Sequence, residues 1–347
     1  MTTIGVGTVK GAFLFRSGSG GSWDLEAPIF KGWAVTAFGR SPSGDHLLAV
    51  GSNWFGAAIH RSADLATWEQ VVDGPAWLEG AERKLNNIWT IAGVGDSLFA
   101  AVDEAGLFRS DDDAASWQPV AGFNEHPTRP GWQPGFGGLA AHRILSDPEN
   151  PDRMWVAVSA VGVFRTEDGG ESWALKNSGV TTVAPNDDYD EIGFCVHCLV
   201  ADPHDANVIW RQDHSGVYRT IDGGDEWQRI EGGLPARFGF TIVRDAASGG
   251  LFVVPLESDE HRMPVGGAFQ VYRSTDRGDS WQVSGVGHPV GPVYAGVLRG
   301  AAATDGKGGV FLGTTAGSVH LTTDGGDHWI TLPEVLPRIL TVSVLEA

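Results

Sequence analysis

The stretch 166–173 reads Thr-Glu-Asp-Gly-Gly-Glu-Ser-Trp, and its spacing of Ser/Thr, Asp, Gly and Trp returns at 220–227 (TIDGGDEW), 274–281 (STDRGDSW) and 322–329 (TTDGGDHW). SDDDAASW at 110–117 keeps the pattern without the Gly. SADLATW at 62–68 and SGSGGSW at 17–23 are one residue short, and the second also lacks the Asp. The closing tryptophans fall at 23, 68, 117, 173, 227, 281 and 329, so the steps are 45, 49, 56, 54, 54 and 48 residues. A near-constant step of this size is that of a four-stranded propeller blade. The residue types explain the turn they build: the Asp and the hydroxyl bond nearby backbone N–H groups, the Gly takes positive φ, and the Trp packs into the adjoining sheet. Apolar-alternating runs such as 162–165 (GVFR) and 217–219 (VYR) precede the motif. Each copy therefore reads as the hairpin turn between the third and fourth strands of a blade.

Working outward, the fold class is all-β: a seven-bladed β-propeller of four-stranded antiparallel blades, forming one domain over 1–347. The ends complete one blade. Residues 330–333 supply a fourth strand and 338–345 an inner first strand, while 2–7 and 12–16 supply second and third strands before the first motif. The N- and C-terminal strands in one blade would close the ring and protect its edges.

The formal net charge of -19 repels phosphate backbones and anionic headgroups, so neither nucleic acid nor a membrane is an expected partner. No apolar run approaches membrane-spanning length, and residues 1–15 lack the basic segment and apolar stretch of a secretion signal, which makes the cytoplasm the expected compartment. The two cysteines, Cys195 and Cys198, rule out a disulfide framework. Their Cys-x-x-Cys spacing invites a zinc reading, but on a strand Cys198 points away from the face shared by Cys195 and His197, so packing is the better assignment.

Function is expected at the end opposite the motifs, where the long connections 69–87, 118–141, 174–196 and 282–298 and the insertion 257–267 emerge. These carry Glu125, His126, Arg129 and Trp132, then Glu257, Asp259 and Arg262, and Asp213 and His214 lie on a further loop at the same end. Alignment of 139–148 with 194–203 puts His142 and His197 at equivalent positions of successive first strands, with His214 in the same blade as His197. His142, His197 and His214 are therefore candidate ligands for a divalent transition metal, candidate acid–base groups, or the lining of a polar channel. Trp54, Trp77 and Trp132 offer flat surfaces for a sugar or aromatic ligand, or staple long loops down.

The seven motifs resemble the Asp-box, or bacterial neuraminidase repeat, of the sialidase-like superfamily, over nearly the whole length. The chain also resembles bacterial repeat-containing glycosyl hydrolase-like proteins. The resemblance implies the propeller fold. For sialidases it also implies three substrate-binding arginines, a Tyr–Glu nucleophile pair and an Asp acid/base. Tyr294, Glu257, Arg299, Arg237 and Arg129 are residues of the required types. The Phe/Tyr-Arg-Ile-Pro motif of sialidases is absent, because Arg16 is followed by Ser17.

Three functions from different classes follow. One is a hydrolase or lyase acting on a glycan-like or other small polar molecule, with Glu125, Glu257 or Asp259 as acid and base, His126 or His214 assisting, and Arg129, Trp132, Asp213, Arg262 and Arg299 holding the substrate. The second is a metal-dependent enzyme, which resembles in architecture the propeller oxygenases that hold iron with inner-strand histidines. The third is a non-catalytic scaffold, similar to propellers that assist photosystem assembly.

Overall fold

The computed structural model describes residues 1–52 and 54–347. Among them the chain is all-β, arranged as five four-stranded antiparallel sheets and one eight-stranded sheet. This arrangement is consistent with a β-propeller. The chain divides into two compact units, one of residues 33–196 and one of residues 1–32 with 197–347. Among the described residues no helix is long and apolar enough to cross a membrane.

The unit of residues 33–196 holds three sheets, each named by the tryptophan of its turn. The Trp68 sheet runs Ala34–Arg40, His46–Ser52, Gly56–Ser62 and Glu69–Gln70. The Trp117 sheet runs Ile88–Val94, Ser97–Val102, Gly106–Ser110 and Gln118–Pro119. Ala141–Ser146, Met154–Val158, Gly162–Thr166 and Ala174–Leu175 form the Trp173 sheet. Apolar side chains fill the spaces between successive sheets, with Leu47, Ile59 and Phe108 in one layer and Phe99, Val156 and Phe164 in the next. That burial is the main stabilising term.

The other unit contains the Trp227 sheet (Val196–Asp202, Asp205–Asp213, Gly216–Thr220, Gln228–Arg229) and the Trp281 sheet (Ile242–Arg244, Leu251–Val253, Tyr272–Ser274, Gln282–Val283). Its eight-stranded sheet joins two sets of four. One set is Val297–Thr304, Val310–Thr314, Val319–Thr322 and Ile330–Thr331, with Trp329 closing the turn before its short last strand. In the other set Ile339–Glu346 pairs antiparallel with Thr3–Thr8, followed by Gly11–Ser17 and Trp23–Leu25. A single parallel bridge, Gly300 to Thr341, links the two sets. The first and last segments of the chain thus share one sheet.

The repeated turns close on their own atoms. Asp168 accepts the Thr166 hydroxyl at 2.7 Å, the Ser172 amide at 2.9 Å and the Ser172 hydroxyl at 2.6 Å, while Thr166 Oγ1 accepts the Gly170 amide at 3.0 Å. Asp276 and Asp112 repeat this with Ser274 and Ser280, and with Ser110 and Ser116. In the Trp173 turn two successive residues, Gly169 and Gly170, sit at positive φ of 71° and 100°; in the Trp117 turn, where glycine is missing, Asp113 and Ala114 still adopt 61° and 70°. The hydrogen-bond pattern therefore outweighs a steric cost of about 1–2 kcal/mol per left-handed residue. Trp281 Nε1 donates to Ile230 O at 2.8 Å and Trp329 Nε1 to Ser284 Oγ at 3.1 Å, so these indoles also tie one strand set to the preceding one.

The Ser172 hydroxyl and amide, with Thr166, hold the Asp168 carboxyl down at about 2. Its folded value lies below the unfolded one, so its stabilisation is present above about pH 4 and is lost as pH falls toward 2. Asp168→Asn is expected to cost roughly 1 kcal/mol at pH 7 after solvent screening. Thermal unfolding of both proteins between pH 4 and pH 2 should show the gap closing; a gap independent of pH would contradict the charged turn.

Candidate functional site

In the Trp227 sheet the second and third strands are joined by the turn at 213–215, at the end away from the Trp227 motif. That turn is set by a buried ion pair. Arg211 donates through Nε at 2.9 Å and Nη2 at 2.5 Å to Asp213 Oδ2, and both side chains are fully shielded from solvent. Asp213 Oδ1 accepts the Ser215 amide at 2.9 Å and hydroxyl at 3.0 Å. The network continues from Ser215 Oγ to the Tyr218 hydroxyl at 2.9 Å, which accepts Arg229 Nη2 at 2.7 Å, and Arg229 Nη1 stands 3.6 Å from Glu231 Oε1. Asp213, expected to hold substrate, is instead saturated by this framework, which positions His214 and Glu231.

His214 projects from the turn toward His197 on the first strand of the same sheet, with ring centroids 5.9 Å apart. His197 stacks on Phe240 at 4.7 Å, and Phe238 meets His197 and His214 edge-on at 5.4 Å and 5.2 Å. His197 Nδ1 is 2.6 Å from Gly239 O, which can only accept, so the proton is on Nδ1 and the lone pair on Nε2. Asp259 Oδ2 lies 3.3 Å from His214 Nε2.

His214, Phe238 and Asp259 border a cleft of about 520 Å³, lined also by Glu231, the 234–237 segment, Glu257 and Ser258. Its walls come from the linker after the Trp227 sheet and from the loop between the second and third strands of the Trp281 sheet. Glu257 Oε1 accepts the Gly266 amide at 3.2 Å, which folds the loop back on itself. Arg262 donates Nε to Asp259 O at 3.0 Å and lays its guanidinium 5.4 Å from Phe240, with that of Arg299 at 5.9 Å. Tyr294 is exposed, its ring against Gly267, where a Cβ would meet it at 3.1 Å. The structure therefore gathers His197, His214, Glu257, Asp259, Arg262 and Arg299 in one region.

The other expected site residues lie in the unit of residues 33–196 and have different roles there. His126 is buried, accepts Thr128 Oγ1–H at Nδ1 (2.9 Å) and donates Nε2–H to Trp173 O (3.2 Å), and burial pushes its pKa down. Trp132 donates to Thr128 Oγ1 at 3.0 Å and packs on Phe123 and Phe164, which makes it a loop staple rather than a ligand platform. Trp77 is likewise packed against Phe108, at 4.7 Å. The Arg129 guanidinium donates to Ala105 O and Glu104 O, both at 2.6 Å, and burial lowers it to about 10. Glu125 is exposed after the short helix Ala121–Asn124. His142 donates Nε2–H to Val196 O at 3.0 Å. Among the described residues the one metal-competent group comprises Cys195, His197 and His214, and His142 is not in it. Cys198 is buried in the core, with its Sγ 3.6 Å from Ile242 O.

Sequence reasoning missed Glu231 and Phe238, and it named Arg237 without placing it beside His214. Glu231 stands just past the fourth strand Gln228–Arg229, and following that strand from the Trp227 turn to its far end would have found it.

No family model matches the chain. It is 26% identical over 267 residues to a xyloglucanase from Paenibacillus sp, covering 67% of this chain and 24% of the relative. The chain thus spans about a quarter of that relative's length. Among solved structures, YCF48 from Cyanidioschyzon merolae superposes with a TM-score of 0.56 at 15% identity, over 90% of this chain and 88% of that one. An ancestral GH74 enzyme superposes with a TM-score of 0.55 at 18% identity, over 89% and 38%. These likenesses are of fold: the structural neighbours are β-propellers.

Removing one partner of a fully buried ion pair leaves an uncompensated charge and costs roughly 3–5 kcal/mol. Asp213→Asn is therefore expected to lower the unfolding midpoint sharply in denaturant titration. A midpoint unchanged from wild type would return Asp213 to the ligand-binding residues.

Proposed function

We propose that this chain is a glycosyl hydrolase-like, glycan-active enzyme built as a single seven-bladed Asp-box propeller of the sialidase-like superfamily, with its ligand in the cleft beside His214. The blade count is supported by seven sets of four strands, and ring closure by the antiparallel pairing of Ile339–Glu346 with Thr3–Thr8. The observation that carries the activity is the convergence of three carboxylates, Glu231, Glu257 and Asp259, with His214 around one cleft. Glycoside hydrolysis requires one carboxyl as acid and another as base or nucleophile. Asp259 beside His214 and Glu257 on the loop fill these roles, while Arg262, Arg299 and Tyr294 contact the substrate. The partial similarity to a xyloglucanase favours a xyloglucan-like carbohydrate as the ligand class. A cytoplasmic location is proposed with it.

The test is release of reducing ends from xyloglucan and its oligosaccharides by the full chain. Asp259→Asn and Glu257→Gln are expected to lower kcat/KM by about 10²–10⁴-fold with unchanged thermal unfolding, whereas Glu125→Gln leaves it unaltered. Absence of both turnover and calorimetric binding across these substrates would overturn the assignment.

A second reading, a non-catalytic interaction propeller, is favoured by one feature. Trp54 and Phe55 are 89% and 79% exposed, and Phe55 stacks on Trp33 at 5.6 Å. Exposed aromatics of this kind are enriched at protein interfaces. Under this reading, replacing Trp54 and Phe55 by Ala abolishes capture of a partner.

A further inference from the structure

The two histidines that face each other in the Trp227 sheet are oriented in a way that acid–base chemistry alone does not require. Each has a polar group fixing one ring nitrogen and therefore directing the lone pair to the other. Gly239 O takes the Nδ1 proton of His197 at 2.6 Å. Asp259 Oδ2, 3.3 Å from His214 Nε2, draws the ring proton to that nitrogen and leaves the lone pair of His214 on Nδ1. A carbonyl behind one ligand histidine and a carboxylate behind the other is the outer-shell arrangement of metal sites, where it sets the tautomer and raises ligand basicity.

The spacing agrees. With metal–nitrogen bonds of about 2.0–2.1 Å and a tetrahedral angle, two imidazole centroids on one ion fall about 5–6 Å apart. The observed separation is 5.9 Å, with the ring planes at 60°. One nitrogen of each ring and the Sγ of Cys195, the residue that leads into the strand Val196–Asp202 two positions before His197, lie within 4.8 Å of one another. On a strand, positions two apart share a face.

We propose that His197 Nε2, His214 Nδ1 and the Cys195 thiolate form a binding site for a zinc-class divalent ion, with Asp259 and Gly239 O as its outer-shell supports. A thiolate with two imidazoles is a borderline-soft donor set suited to Zn²⁺ and Co²⁺ and unsuited to Mg²⁺ or Ca²⁺. Phe238 and Phe240 wall the two rings, which strengthens electrostatic attraction to the ion. Arg262 and Arg299, stacked near Phe240, oppose it; Asp259, the thiolate and the negative field of the whole chain offset them. His214 also lines the cleft, so the fourth coordination position is the one available to water or a ligand oxygen. The site stands whether or not the cleft hydrolyses glycans.

The test uses the full chain stripped with chelator and titrated with Zn²⁺ by calorimetry and with Co²⁺ by optical absorption. One ion per chain is expected, and the Co²⁺ form should show a thiolate-to-metal charge-transfer band that disappears in Cys195→Ser. His214→Ala, on an accessible turn, and His197→Gln, which preserves size in the stack, should each weaken Zn²⁺ binding by more than about 100-fold, and Asp259→Asn by about 10–100-fold. Thermal unfolding without metal checks that the variants are folded. No saturable Zn²⁺ binding, a band-free Co²⁺ spectrum, or folded His214→Ala with wild-type affinity would each overturn the proposal.

Discussion

The architecture depends on a carboxylate that closes a turn without help from any other part of the chain. Asp168, Asp276 and Asp112 each take a hydroxyl from the residue two before and an amide from the residue four after. Left-handed residues between these contacts make the chain reverse within eight positions. Because the turn satisfies its own donors, that end of each sheet needs no covering loop. The connections that do need length emerge at the other end, and so the cleft beside His214 is lined by the 213–215 turn, a linker and the 257–259 loop. The strength of the constraint shows at Asp113 and Ala114, which adopt the glycine conformation without being glycine.

The same self-sufficiency explains what the sequence could tell. The hydrogen bonds to the Asp and the hydroxyl that reverse the chain are local, so a spacing of eight residues carries the turn, and the step between tryptophans carries the four-stranded set. The long linkers obey a different rule. A connection such as 118–141 that packs against sheets must satisfy its own buried polar groups, and the residues that do so are those that catalysis would use. His126 caps Trp173 O, Trp132 reaches Thr128, and Arg129 holds the carbonyls of Glu104 and Ala105. Nothing in the residue types separates a structural His or Arg in such a loop from a functional one; only the identity of the partner does, and the decisive partners of His126 and Arg129 are distant in sequence. Asp213 is the sharpest case, since its ion pair with Arg211 lies two residues away on one strand and still reads as an exposed loop acid until burial is known.

His142 and His197 align in sequence, and the structure shows why that equivalence is one of backbone position. Side chains of first strands repeatedly donate to a downstream main-chain carbonyl: Thr36 to Ile88 at 2.6 Å, Thr90 to His142 at 2.6 Å, His142 to Val196 at 3.0 Å and His197 to Gly239 at 2.6 Å. Threonine performs this task with its hydroxyl. Histidine performs it with one of its two ring nitrogens. What distinguishes His197 is the second imidazole beside it, because the 213–215 turn brings the His214 ring to within 5.9 Å. The position of His197 thus serves first to hold strands together.

The charge of the chain divides along the same line. Asp168 and Asp276, held near 2 by hydroxyl and amide donors, stay ionised across ordinary pH, and each spends its charge on its own turn. Their contribution to the net charge of -19 is a by-product of folding and selects no ligand. At the cleft, Glu231, Glu257 and Asp259 face His214 and Arg237, with Arg262 bonded to the Asp259 carbonyl. That mixture of signs suits an uncharged, hydroxyl-rich ligand, whose groups donate to carboxylates and accept from guanidinium, better than it suits an anion.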